Sequence, residues 1–179
     1  MDELDQGWQI ITGQKPVLLV AGHNFPQGRK GKIKFAELGS GDLVRRLCQQ
    51  NHFWGIVSTR AQLDPNWYID SPFRDQVKKL ISQNKITLIL DIHGSSLQNQ
   101  ELIFFLANKA FLEKFSDKLT GVELRNFIDN DQLTLAEDLD FSTAVLEIEI
   151  REDGLVSTIN PQNFHQAQVS IDELIRSLK

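Results

Sequence analysis

Hydrophobic residues fall into short continuous blocks, and the segments between them carry apolar positions at helical spacing. Val17-Leu18-Leu19-Val20-Ala21 follows Pro16 and runs into Gly22-His23-Asn24-Phe25-Pro26, which predicts a short buried strand ending in a turn. Phe53 to Ser58 predicts a second strand. Ile86 to His93 predicts a third; its nearly unbroken apolar run is that of a strand covered on both faces, as in a parallel sheet. Leu102 to Ala107, Val122 to Ile128 and Ala144 to Ile150 complete the strands. Helices are predicted from Glu37 to about Gln50, with Leu43, Val44, Leu47 and Cys48 as the apolar face, and from Pro72 behind a Ser71 cap, with Phe73, Val77, Leu80 and Ile81 inward. Two more run from Asn108 to about Lys118 and from Pro161 to Lys179. The Gly- and Lys-rich stretch from Gly28 to Lys34 reads as a loop, as do Arg60 to Asp70, with its Asp64-Pro65-Asn66 turn signature, and the acidic segment from Asp129 to Phe141. Strands alternating with helices imply an α/β three-layer sandwich, and the crowding of the later strands makes its central sheet mixed, though mostly parallel.

The remaining bulk properties narrow the function. A chain of 179 residues fits one domain with a single core. Its net charge of −5 gives no electrostatic footprint for nucleic acid. The one basic run, Arg29-Lys30-Gly31-Lys32-Ile33-Lys34, reads as a solvated loop or as a cation cluster for an anionic substrate. A single cysteine, Cys48, excludes an internal disulfide framework and a cysteine metal cage, and its place on an apolar stripe makes it a buried structural thiol. The acidic start (Asp2, Glu3, Asp5) is unlike a signal peptide, and no apolar run approaches the roughly 18 residues of a membrane span, so a cytoplasmic protein without membrane or nucleic-acid partners is expected.

Chemistry concentrates where strands end. His23 and His93 each follow an apolar strand, and Asp91 lies two residues before His93, on the same face. Open α/β sheets bind ligands beyond the carboxyl ends of their strands. Glu37 opens the helix after the first loop, and Glu147 and Glu149 share one face of Leu146-Glu147-Ile148-Glu149-Ile150. Two imidazoles and a carboxylate are the ligand types of a catalytic zinc, whose bound water has its pKa lowered to about 7. A further carboxylate would act as general base and then acid, and Asp91 could orient a ligand histidine. Each residue also has a plainer account. A histidine after a strand is usually a satisfied structural group, and Glu37 suits a helix N-terminus. Glu147 and Glu149 would equally form the solvated face of an edge strand, with Leu146, Ile148 and Ile150 supplying the buried one. His52 and His165 lack a strand-end setting. Gly39-Ser40-Gly41-Asp42 is no phosphate-binding loop, and Ser95-Ser96 is not in a nucleophile elbow.

The order of these motifs resembles the N-formylglutamate amidohydrolase-like zinc hydrolases, relatives of the carboxypeptidase-like and aspartoacylase-like zinc enzymes. It rests on Gly22-His23-Asn24-Phe25-Pro26, Lys34-Phe35-Ala36-Glu37 with Gly39-Ser40-Gly41, Asp64-Pro65-Asn66, Leu90-Asp91-Ile92-His93-Gly94-Ser95, and Leu146 to Arg151. The resemblance implies a phosphorylase/hydrolase-like fold and one zinc held by His23, Glu37 and His93. Glu149 would be the general acid/base, with Glu147 the alternative, and Arg60, Asp64 and Asn66 would lie near the substrate. Pro26 stands where the carboxypeptidase-like relatives place a ligand glutamate. The expected activity is hydrolysis of an amide in an N-acyl or N-formyl amino acid or a small peptide-like substrate. The rivals are a hydrolase-fold domain that only binds a small acidic ligand or a protein, and a metal-dependent esterase or phosphoesterase.

Overall fold

The computed structural model describes residues 6–96, 102–118, 124–126 and 143–178. Seven of its strands form one sheet in the order β1-β5-β2-β7-β10-β8-β9. These are β1 (Trp8–Ile11), β2 (Lys15–Ala21), β5 (Phe53–Ser58), β7 (Leu88–Ser95), β8 (Ile103–Ala107), β9 (Leu124–Asn126) and β10 (Ala144–Arg151). β5, β2, β7 and β10 are mutually parallel and make the centre; β1 runs antiparallel to β5 and β8 antiparallel to β10, with β9 parallel to β8, so the sheet is mixed and mostly parallel.

Alternation along the strands sends side chains to two separate cores. Leu19, Leu90, Leu146 and Ile148 face α1 (Ser40–Asn51), α3 (Lys109–Phe115) and α4 (Pro161–Ser177). Leu18, Val20, Ile56, Ile89 and Val145 face α2 (Pro72–Asn84) through Phe73, Val77 and Leu80. Helices therefore cover both faces, and the continuous apolar run before Asp91 follows from that. Phe73, Phe111, Leu43 and Leu90 have no exposed surface; each such side chain contributes about 1.5–3 kcal/mol by its burial.

The helix ends follow local chemistry. Ser71 accepts the Arg74 amide with Pro72 at the first helical position, and Asn108 and Asn160 cap α3 and α4 in the same way. The first helix starts later than expected, at Ser40 instead of Glu37. Gly39 adopts φ 91°, and a Cβ there would lie 2.0 Å from the Leu155 carbonyl oxygen, so the chain turns at a residue only glycine can occupy. Glu37 consequently belongs to the turn before the helix.

The basic stretch is not a loop. β3 (Gln27–Arg29) and β4 (Lys32–Lys34) form a hairpin across Lys30 (φ 34°) and Gly31 (φ 76°), and β6 (Gln62–Leu63) pairs beside β3. β10 is not an edge strand: it pairs with β7 on one side and β8 on the other, so Glu147 and Glu149 project from the middle of the sheet. The part of the Val122–Ile128 strand that is described is β9; the Asp129–Phe141 segment lies outside the described residues. No helix among the described residues is long and apolar enough to cross a membrane.

Candidate metal centre

Strand register builds the site. In the parallel β7–β10 pair Asp91 lies opposite Glu147, His93 opposite Glu149 and Ser95 opposite Arg151. Residues two apart share a face, so these six side chains form two adjacent polar rows at the carboxyl ends of the central strands. On the next strand, β2 ends at Ala21, and His23 follows in the turn. That turn is pinned: Asn24 accepts the Gly41 amide and donates to the Ser58 carbonyl, while Gln27 donates to the Gly22 carbonyl.

The turn carrying Glu37 folds back onto His23. The Glu37 amide donates to the His23 carbonyl at 2.8 Å, and Glu37 Oε2 accepts the Gly94 amide at 3.0 Å. His23 Nδ1 and His93 Nδ1 face each other at 3.0 Å, each 3.3 Å from one Glu37 oxygen. The three ligand atoms lie within 4.8 Å of one another, and all three residues are buried. Gly94 makes the approach possible: a Cβ there would stand 3.1 Å from Glu37 Cβ and 2.9 Å from Leu155 Cδ1. If the cluster holds zinc, Gly94→Ala should push Glu37 away and weaken its binding by about 10–100-fold, the range for a disturbed supporting shell. Chelator competition checks this, and an unchanged affinity would show that Glu37 tolerates the methyl group.

A carboxylate stands behind each imidazole. Asp64, with no exposed surface, lies 2.9 Å from His23 Nε2 and also accepts from Arg29 Nε. His23 and then Arg29 outweigh the burial of Asp64 and hold its carboxyl well below the usual range. Asp91 Oδ2 lies 2.9 Å from His93 Nε2, within ion-pair distance, yet neither Asp91 oxygen has an aligned hydrogen-bond partner among the described residues. If each Nε2 keeps its proton toward its carboxylate, each Nδ1 points a lone pair into the cluster. The surrounding side-chain charges by themselves instead favour the ionised forms of Glu37 and His93. Burial would raise Glu37, but His23 and His93 outweigh it and hold the carboxyl well below its ordinary value. Burial would depress His93, but Asp91, then Glu37 and Glu147, hold it well above.

Two facing nitrogens beside a carboxylate are a donor set for a cation, and the nitrogen–oxygen mix suits zinc. Lys34 supplies a cation to that set, with Nζ 2.8 Å from His23 Nδ1 and 2.6 Å from Glu37 Oε1. Lys34 and Arg29 were not singled out from the sequence as individual site residues. The spacing of Lys34 three residues before Glu37 is the signal that could have marked the first.

Glu147 and Glu149 lie two residues apart on β10 and share one face. Burial raises both; His93 opposes, and their mutual proximity leaves Glu149 at about 8. The ordinary value is 4.5, so between these limits the folded protein holds a proton that the unfolded chain releases. Stability should fall as pH rises through that window. Metal-free Glu149→Gln should be more stable than metal-free wild type at pH 9, by on the order of 2–4 kcal/mol, with no gap at pH 4. Urea unfolding followed by tryptophan fluorescence reads this, and equal stability at pH 9 would rule the buried proton out.

The other expected residues are placed as follows. Asp64 stands fully buried behind His23, with Oδ1 at the His23 ring. Asn66 is buried in the same turn, its amide bonded to Asp64 Oδ1 at 2.9 Å. Arg60 is exposed and lies over Gly7 beside β1, at the sheet's edge. Cys48 is buried against the Trp54 carbonyl, and burial pushes its thiol up to about 12. His52 ends α1 in a left-handed conformation and His165 is exposed on α4. One strand step beyond His93 and Glu149, a cavity of about 470 Å³ is lined by Ser95, Ser96, Arg151, Glu152 and Asp153.

No protein-family model matches this sequence, and no curated protein is detectably similar to it. Solved structures are. The gene product Atu2144 from Agrobacterium tumefaciens superimposes with a TM-score of 0.62 at 13% identity, over 98% of this chain and 92% of that one. A bacteriophage poly-gamma-glutamate hydrolase gives 0.50 at 12% identity, over 97% and 91%. The chain has a hydrolase-like α/β fold. A zinc-free apo form of YndL is also similar, with a TM-score of 0.53 at 14% identity over 96% of this chain and 91% of that one. At these identities the likeness concerns the fold; the residue cluster is this chain's own.

Proposed function

We propose that this chain is a zinc-dependent amidohydrolase of the N-formylglutamate amidohydrolase-like kind, acting on an N-acyl or N-formyl amino acid or a small peptide-like substrate. The observation that carries it is the convergence of His23, Glu37 and His93 beyond the ends of β2 and β7, with Glu147 and Glu149 on the adjoining strand. When bound, zinc would polarise the amide carbonyl and acidify a water molecule.

The chain's own residues supply the rest. Asp64, bonded to His23 Nε2, and Asp91, 2.9 Å from His93 Nε2, would orient the two imidazoles with Nδ1 inward. Gly94 N–H holds Glu37 Oε2 and turns Oε1 toward the cluster. Glu149 takes a proton from the attacking water and returns it to the leaving nitrogen, which spares the amine from departing as an anion. Glu147 keeps a negative neighbour beside Glu149 and so keeps its proton affinity high. The substrate would lie in the cavity beyond Ser95, with Arg151 at its wall to meet a carboxylate. The phage enzyme of the same fold is named for an amide polymer rich in carboxylates, which fits that substrate class.

The test is turnover by zinc-loaded protein on a panel of N-formyl and N-acyl amino acids, γ-glutamyl peptides and matched esters. Hydrolysis of amides confined to the zinc-loaded form supports the proposal; zinc binding without turnover on any of them defeats it. That second outcome would leave a hydrolase-fold binding domain, which the Lys34 contact with the ligand cluster also favours.

A further inference from the structure

The side chain of Lys34 meets the cluster in a way the reaction does not require. β4 is the outer strand of the small sheet, with Lys32 and Ile33 exposed, yet Lys34 turns its ammonium inward. There it lies 2.6 Å from Glu37 Oε1 and 2.8 Å from His23 Nδ1, whose side chains are only 7% and 0% exposed. A surface ion pair contributes little, but this one answers a carboxylate and an imidazole lone pair that are out of water. An imidazole nitrogen has a single lone pair. His23 Nδ1 can accept from Lys34 or bind a metal, but cannot do both. A zinc ion on the same atoms, at about 2.0–2.2 Å, would also stand inside contact distance of the ammonium.

We propose that Lys34 is a tethered counter-cation of this centre: its ammonium takes the cation's place between His23 and Glu37 in the metal-free protein, and zinc must displace it. The inference rests on the zinc assignment made above. The lysine keeps the ligands assembled and charge-balanced before metal arrives, at the expense of zinc affinity. On displacement the side chain moves to solvent from an edge strand whose outer neighbours are already exposed, so no packed element has to open.

The experiment compares wild type, Lys34→Met and Lys34→Arg after dialysis against EDTA. Zinc dissociation constants come from competition with a chelating dye, and melting temperatures are taken with and without zinc. Lys34→Met should bind zinc about tenfold or more tightly, as expected when a competing buried ion pair is removed. It should melt below wild type when metal-free and alongside it when loaded. Lys34→Arg, which keeps the charge, should stay near the wild-type affinity. A Lys34→Met variant whose zinc affinity is unchanged or weaker overturns the inference while leaving the zinc site intact. If no form binds zinc, the zinc assignment fails and takes this inference with it. Circular dichroism monitors folding, and Lys34→Gln repeats the comparison should the methionine variant misfold.

Discussion

Replacing His23 and His93 together by alanine should reduce bound zinc from about one ion per chain to none. Among the described residues the proposed centre offers two nitrogens and one carboxylate, and removing both imidazoles leaves Glu37 alone, which cannot hold zinc against water. The loss has a structural side. Asp64 and Asp91 are buried behind the two rings, and a buried charge that loses its partner costs about 3–5 kcal/mol. Part of that cost is spared at Asp64, where Arg29 remains. A second pair, His23→Asn and His93→Asn, keeps an amide in each position and separates metal loss from unfolding. The measurement is elemental analysis of protein purified without chelator, set beside the unfolding curve of each variant. A folded double variant that retains as much zinc as wild type would mean that the metal, if any, lies elsewhere.

How much of this could be read from the chain depends on whether the deciding interaction is local. The Ile86–His93 run showed a strand covered on both faces, and residue alternation then placed Asp91 and His93 together; both inferences use only neighbouring residues. β10 was ambiguous for a physical reason. Leu146, Ile148 and Ile150 bury one face in an edge strand as well as in a central one, and alternation cannot say whether the face with the glutamates is covered. Its pairing with β7 and β8 makes it a central strand, and Glu147 is buried there; both pairings are long-range. Asp64 was visible as a turn residue, but only the fold shows that the turn backs onto His23. Lys34 was hidden in a basic run that reads as solvated. Its direction depends on a hairpin whose Lys30-Gly31 turn joins strands too short and too charged to register as strands. Glu37 was noticed as a helix opener, whereas its place follows from the left-handed turn at Gly39.

Glu149→Gln should leave zinc in place and lower amide turnover by about 10²–10⁴-fold, the range for loss of a positioned general acid/base. Glutamine matches glutamate in size and shape, so the strand and the three ligands should not be disturbed. What it lacks is the ability to take a proton and give it back. The burial that raises Glu149 to about 8 is what suits it to the task, because a carboxyl at its ordinary value would be too weak a base near neutral pH. Bound zinc would draw that value down toward neutrality, since a nearby cation favours the charged form. The activity of the wild type should accordingly rise with pH as the carboxyl ionises, and the residual activity of the variant should lose that limb. Glu147 provides the internal control. It is the more deeply buried of the two and faces Asp91 across the strand pair, so Glu147→Gln should shift the limb without abolishing turnover. If Glu149→Gln keeps full activity while Glu147→Gln loses it, the proton carrier is Glu147. If both keep it, neither glutamate moves the proton, and the hydrolytic assignment would need another base.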